Sequence, residues 1–264
     1  MKTTGRIRTL DMVFAFLGGC VLLFIIAPLA GMFLKTSFME IGEVASDTQV
    51  SNSIWITLAI SMSATLLFAF LSVPFAWMLA RKKFRGRKLV NGIIDLPIVI
   101  PHTAAGIAIL GIVSRGTFLG EAADKAGFSF VGHPLGIGLA MAFVSLPFLI
   151  NAARDGFEAV PERLEKAALN LGATPLKVFL TISLPLAWRN ILSGGIMMFA
   201  RGMSEFGAVI IIAYHPMTTP VLIYDRFGAF GLSYARPVAV LFILVSLAFF
   251  IALRFISKRN QKDA

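Results

Sequence analysis

Two charges stand inside an otherwise apolar stretch, Arg201 and Glu205 within 191–213. At a spacing of four they share one helix face. A charge near the middle of a bilayer costs about 2.5–3.5 kcal/mol on insertion scales, so both must face protein or a wet cavity. Two chemistries fit. A self-neutralising structural pair is preferred, because the charges cancel locally. The other is a polar lining for an anion path, with Arg201 attracting the anion. A permanently strong site there would trap a substrate that has to leave. Other reactive side chains are placed to do less. His102, His133 and His215 are scattered without metal-ligand spacing. Cys20, the single cysteine, excludes an internal disulfide framework and reads as a small buried hydrophobe in an apolar run. Asp155, Glu158, Glu162 and Glu165 are spread along one polar stretch among basic residues, and Asp95 is alone. A membrane enzyme needs its acids or histidines gathered at one face, so that class is disfavoured. A Gly-x-x-x-x-Gly-Lys-Ser/Thr phosphate loop is absent from the sequence.

The elements that must carry these residues follow from composition. Of 264 residues, 57% are hydrophobic and 14% charged. Soluble domains carry about 25% charged residues, so a water-soluble monomer is excluded, and disorder is excluded by the high hydrophobicity. The remaining class is all-α integral membrane. Six stretches approach or exceed the roughly 20 apolar residues that cross a bilayer: 12–34, 54–79, 89–113, 134–152, 191–213 and 238–253. The first is too long for a signal-peptide core and is read as a retained helix. Pro97, Pro101 and Pro147 interrupt spans, and kinking for packing is preferred over bending at a transport path. Gly194, Gly195, Gly202 and Gly207 are expected to let helices approach closely.

The net charge of +10 sets the orientation. With the N-terminus in the cytoplasm, the inner segments hold Lys2, Arg6 and Arg8; Arg81, Lys82, Lys83, Arg85, Arg87 and Lys88; Arg154, Arg163, Lys166, Lys177 and Arg189; and Arg254, Lys258, Arg259 and Lys262. The outer segments hold Lys35, Arg115, Lys125, Arg226 and Arg236. This asymmetry predicts both termini inside. It also reads the Arg81–Lys88 cluster as a topology anchor, not a nucleic-acid or lipid-headgroup patch.

The stretch 154–189 is the longest inner connection. Pro161 suits a first helical turn. Leu164, Ala167, Ala168 and Leu171 then recur at helical spacing and form one apolar face, with Glu162, Arg163, Glu165 and Lys166 mostly off it. Gly172 fits a left-handed C-terminal cap, Thr174 and Pro175 the N-cap and first position of a second short helix, and Pro185 lies just before the next span. The small-residue face either rests on its own bundle or docks a partner.

Glu165-Lys166-Ala167-Ala168-Leu169-Asn170-Leu171-Gly172-Ala173, followed by Ile182-Ser183-Leu184-Pro185, resembles the EAA loop of permease subunits of ABC importers. Lys166 stands where the strict pattern has glutamate. The resemblance implies that this loop is a coupling helix seated in a groove of a soluble ATPase subunit, with Glu165, Lys166, Ala167, Ala168, Leu171, Gly172, Ala173 and Pro175 at or beside the contact. Asp95–Gly106, Ser145–Phe148 and Phe199–Ala208 look like stretches of the molybdate, tungstate and sulfate permeases, with His102 and Ser204 as departures. The segment 216–224 is similar to molybdate/tungstate permeases of archaeal type. The family implies a homodimer, two ATPase subunits binding ATP and Mg, and an extracytoplasmic oxyanion-binding protein. It implies alternating access in the plasma membrane and no cofactor on this chain. Pro101, Thr103, Arg201, Ser204 and Glu205 become candidates for the path. A sulfate/thiosulfate permease is the alternative.

Overall fold

Apolar chain in lipid has no water to satisfy its amide groups, so the helix, which pairs them internally, is the element expected throughout. The computed structural model describes residues 4–259, and side chains over 9–255. Every regular element among them is helical. In order these are α1 (Thr4–Leu34), α2 (Phe38–Ser46), α3 (Thr48–Arg81), α4 (Arg87–Val99), α5 (His102–Val113), α6 (Phe118–Lys125) and α7 (Pro134–Ala159). There follow α8 (Glu162–Asn170), α9 (Pro175–Val178), a π-helical turn (Phe179–Ser183), α10 (Leu184–Met203), α11 (Gly207–Ile212), α12 (Thr219–Phe230) and α13 (Leu232–Arg259). Lys2 and Lys262, and the side chains of Arg6, Arg8, Lys258 and Arg259, lie outside the described residues.

Four helical stretches are long and apolar enough to cross a membrane: Thr9–Leu34, Thr48–Arg81, Pro134–Ala159 and Leu232–Phe255. A fifth arises if α4 and α5 count as one span, but they meet at 113°. The expected straight helix over 89–113 is therefore broken. The residue before a proline is pushed out of the α region, and Ile100, before Pro101, is extended at φ −74°, ψ 146°. The stretch 191–213 is broken as well, at Ser204–Phe206 between α10 and α11.

The inner connection also differs from its expectation. Helix α7 continues through Pro147 to Ala159, past the expected end at 152. The second short helix does not stop before Pro185, because α9, the π turn and α10 run on without a break. Pro185 has no N–H to give the carbonyl one turn back. The wider π turn immediately precedes it, and Leu184 N–H bonds the Phe179 carbonyl five residues back.

Helices α3, α7 and α10 form the centre, around Leu79, Leu149, Ala153, Phe157 and Met198. A second cluster, with Ile137, Met141, Val209 and Ile212, joins α5, α7 and α11. Small residues permit this packing. A Cβ on Gly202 would lie 2.9 Å from Ser61 Oγ, and one on Gly207 2.8 Å from His102 Cβ. Gly195 does not fit the pattern, since nothing lies within 4 Å of its hypothetical Cβ. Helix α1 touches the rest only near its C-terminal end, beside α13, and none of its apolar window is buried. Cys20 on it is exposed, contrary to the buried reading.

Candidate functional site

Two assemblies of polar residues stand out, one on α8 and one where the broken helices meet. Helix α8 is ended by Gly172, which takes φ +87°, a conformation open to glycine at no steric cost. The Ala173 N–H then bonds the Ala168 carbonyl at 3.0 Å and the Gly172 N–H the Leu169 carbonyl at 2.9 Å, closing a Schellman-type cap. The Thr174 hydroxyl accepts the Lys177 N–H, and Pro175 opens α9. Gly172, Thr174 and Pro175 match the sequence reading, whereas Pro161 stands at the N-cap of α8, one position before its first turn.

The orientation of α8 removes one of the two readings of its apolar face. The apolar positions do not rest on the bundle: Leu164 is 42% exposed and Leu171 90%, with Ala167 exposed and Ala168 half-buried. Leu169 and Leu176 also face outward. The buried side chain of α8 is a charged one, Glu165, 7% exposed. Arg81, at the end of α3, grips it with a two-pronged fork, Nε to Oε2 at 2.8 Å and Nη2 to Oε1 at 2.9 Å. Ser183 Oγ donates to Oε1 at 2.6 Å. Burial pushes the Glu165 carboxyl up, but the Arg81 fork and the Ser183 hydroxyl outweigh it and hold it below the usual carboxylate range. Lys166 is exposed and pairs with Glu162 at 2.8 Å. The other acids of this face are also partnered, Glu158 with Arg87 and Asp155 with Arg154. Asp95, solitary in the sequence, accepts from Asn151 Nδ2 at 2.7 Å. These acids sit in separate pairs, and no group of three or more metal-ligating side chains occurs among the described residues.

The second assembly is centred on Glu205. It lies in the break after α10, so the pair with Arg201 does not rest on a shared helix face. Its Oε2 is 2.9 Å from Arg201 Nη2 and 3.0 Å from His102 Nδ1. Its Oε1 accepts the Ala208 N–H at 2.9 Å, in the first turn of α11. Arg201 Nη2 is also within 2.9 Å of the His102 ring nitrogens. One carboxylate, 1% exposed, thus ties the end of α10, the start of α11 and the start of α5. His102 was not singled out by spacing, since it is 103 positions before Glu205 in reach only through the fold; its place beside Pro101, at a predicted helix interruption, was the usable signal. Of the other path candidates, Pro101 and Thr103 are exposed, and Ser204 is exposed with its hydroxyl donating to the Arg201 carbonyl at 3.1 Å.

The chain matches the family model of binding-protein-dependent transport system inner membrane components over residues 72–262. It is 41% identical over 254 residues to the molybdate/tungstate transport system permease protein of Pyrococcus abyssi, covering 96% of this chain and 97% of the relative. It is 37% identical to the protein of the same description from Methanocaldococcus jannaschii, over 92% and 94%. A probable sulfate transport system permease of Chlorokybus atmophyticus is 28% identical, over 90% and 85%. Among solved structures, a subunit of a bacterial ABC transporter that imports the acidic polysaccharide alginate superposes with a TM-score of 0.73. That match has 20% identity and covers 98% of this chain and 99% of the other, so the likeness shows a shared fold. The broken spans and the capped α8 therefore sit in a chain that belongs to the binding-protein-dependent ABC-importer permease family.

Proposed function

We propose that this permease carries molybdate or tungstate across the plasma membrane as a homodimer. Two separate ATPase subunits bind ATP and Mg, and an extracytoplasmic binding protein delivers the anion. The substrate rests on the relatives at 41% and 37% identity, which are described as molybdate/tungstate permeases. The coupling role rests on one observation: α8 turns Leu164 and Leu171 outward from a tightly capped helix. Apolar side chains held exposed on a rigid helix favour a partner groove. Lys166, Ala167, Ala168, Leu171, Gly172, Ala173 and Pro175 form or shape that docking face, and Glu165 holds it from behind. The asymmetry of the basic clusters supports a cytoplasmic position for α8 and both termini.

At the other assembly, Arg201, His102 and Glu205 act mainly as a joint between helix ends. Exposed Pro101, Thr103 and Ser204 beside them line the path. ATP-driven closure of the ATPase pair moves the docked α8 helices and switches the spans between inward and outward access. The test is uptake of radiolabelled molybdate by vesicles holding the reconstituted complex. ATP-dependent uptake competed by tungstate and weakly by sulfate is expected. Equal competition by sulfate would favour the sulfate reading, for which the 28% relative is the support.

A further inference from the structure

A helix that receives force from a partner must be fastened to whatever it moves. Helix α8 has no apolar anchor of its own, because its one buried side chain among the described residues is Glu165. The fastening is polar. Arg81 forks onto the carboxylate from the end of α3 and donates to the Val160 carbonyl at 2.9 Å, where α7 has ended. Ser183, fully buried, donates to the same carboxylate from the π turn that leads into α10. Beneath lies an apolar layer in which Phe179 of the π turn meets Trp77 of α3 edge-on at 5.5 Å and Phe157 of α7 at 6.0 Å. Arg81 and Glu165 are both about nine-tenths buried, where water does little to weaken their attraction.

We infer that the Arg81–Glu165–Ser183 joint is the link that carries motion of α8 into α3, α7 and α10, so that Glu165 is a positioning residue for transport and not an ATPase contact. This rests on the coupling reading of α8. A glutamate facing the ATPase would be exposed, as Lys166 is; Glu165 points the opposite way, into the body of the permease. A rigid two-pronged ion pair fixes angle as well as distance, and that is what a transmitting joint requires.

The test uses the complete transporter, permease with ATPase and binding protein, in vesicles. Molybdate taken up per ATP hydrolysed is compared for wild type, Glu165→Gln and Ser183→Ala, alongside ATPase retained on purification. Glu165→Gln should keep the ATPase bound and hydrolysing while uptake per ATP falls about tenfold, a coupling change within the usual range between linked sites. Ser183→Ala, which uncovers no charge, should lower the same ratio several-fold, and it decides the matter if Glu165→Gln does not fold. An unchanged ratio overturns the inference. Loss of ATPase binding by Glu165→Gln also overturns it, because the residue would then belong to the docking face. If wild type itself retains no ATPase, the coupling reading fails first, and the two failures are distinct.

Discussion

Glu205 and Glu165 are both buried carboxylates, and each ties together helix ends from distant parts of the chain. Taking away one partner of a buried ion pair leaves the other uncompensated, at a cost of roughly 3–5 kcal/mol. Glu205→Gln should therefore lower the thermal unfolding midpoint in detergent markedly, while Ser204→Ala, an exposed hydroxyl on a backbone carbonyl, should leave it within error. Equal effects would deny Glu205 its role as a joint. Glu165 has a folded-state pKa below the ordinary carboxylate value. Its contribution is complete above the ordinary value near 4.5 and is lost as pH falls through the lowered one. Acid titration of unfolding should show a stability loss in that window for wild type, reduced in Glu165→Gln; identical acid profiles would contradict it. These roles were only partly readable in the sequence. Spacing brought Arg201 and Glu205 together, and the charge asymmetry read Arg81 as part of a topology anchor. The partnerships with His102 and Ser183 depend on how distant helices meet, which no local pattern encodes.

Among the elements, caps were more legible than faces or breaks. Gly172 was readable because a left-handed cap has few chemical solutions, and nothing lies within 4 Å of its hypothetical Cβ, so any cost of substitution is in the backbone. Gly172→Val should weaken ATPase binding about tenfold, from a penalty of ~1–2 kcal/mol for the left-handed conformation. Gly172→Asn, which tolerates that conformation, should bind nearly as wild type; equal loss in both would show that the cap is not what orders α8. The orientation of α8 was not legible, since an apolar stripe looks the same whether it packs inward or docks outward. Pro101 was legible as an interruption, but the sharpness of the break, 113°, was not. Hydropathy runs unbroken through 89–113, and only the backbone restriction at Ile100 reveals the turn. Close approach offers a paired test on unfolding. Gly207→Ala drives a Cβ to within 2.8 Å of His102 and should cost about 1–3 kcal/mol as overpacking. Gly195→Ala meets open space and should be neutral or stabilising by up to ~1 kcal/mol through helix propensity.

At the scale of the whole molecule, the composition identified a membrane protein and the EAA-like loop its family. What the single chain leaves open to a partner is equally informative: α1 stands unburied, and α8 presents leucines on a helix anchored by charge from behind. Both make sense in an assembly. Transport as proposed depends on docking of the ATPase at α8. That docking is tested most directly by purifying the permease with its ATPase subunits, as wild type and as Leu171→Asp, and measuring the ATPase retained. Leu171 is 90% exposed, so the substitution leaves the fold undisturbed. Equal amounts of permease and ATPase are expected in the wild-type complex, with loss of the ATPase from Leu171→Asp. An ATPase held equally by both, or by neither, would contradict it.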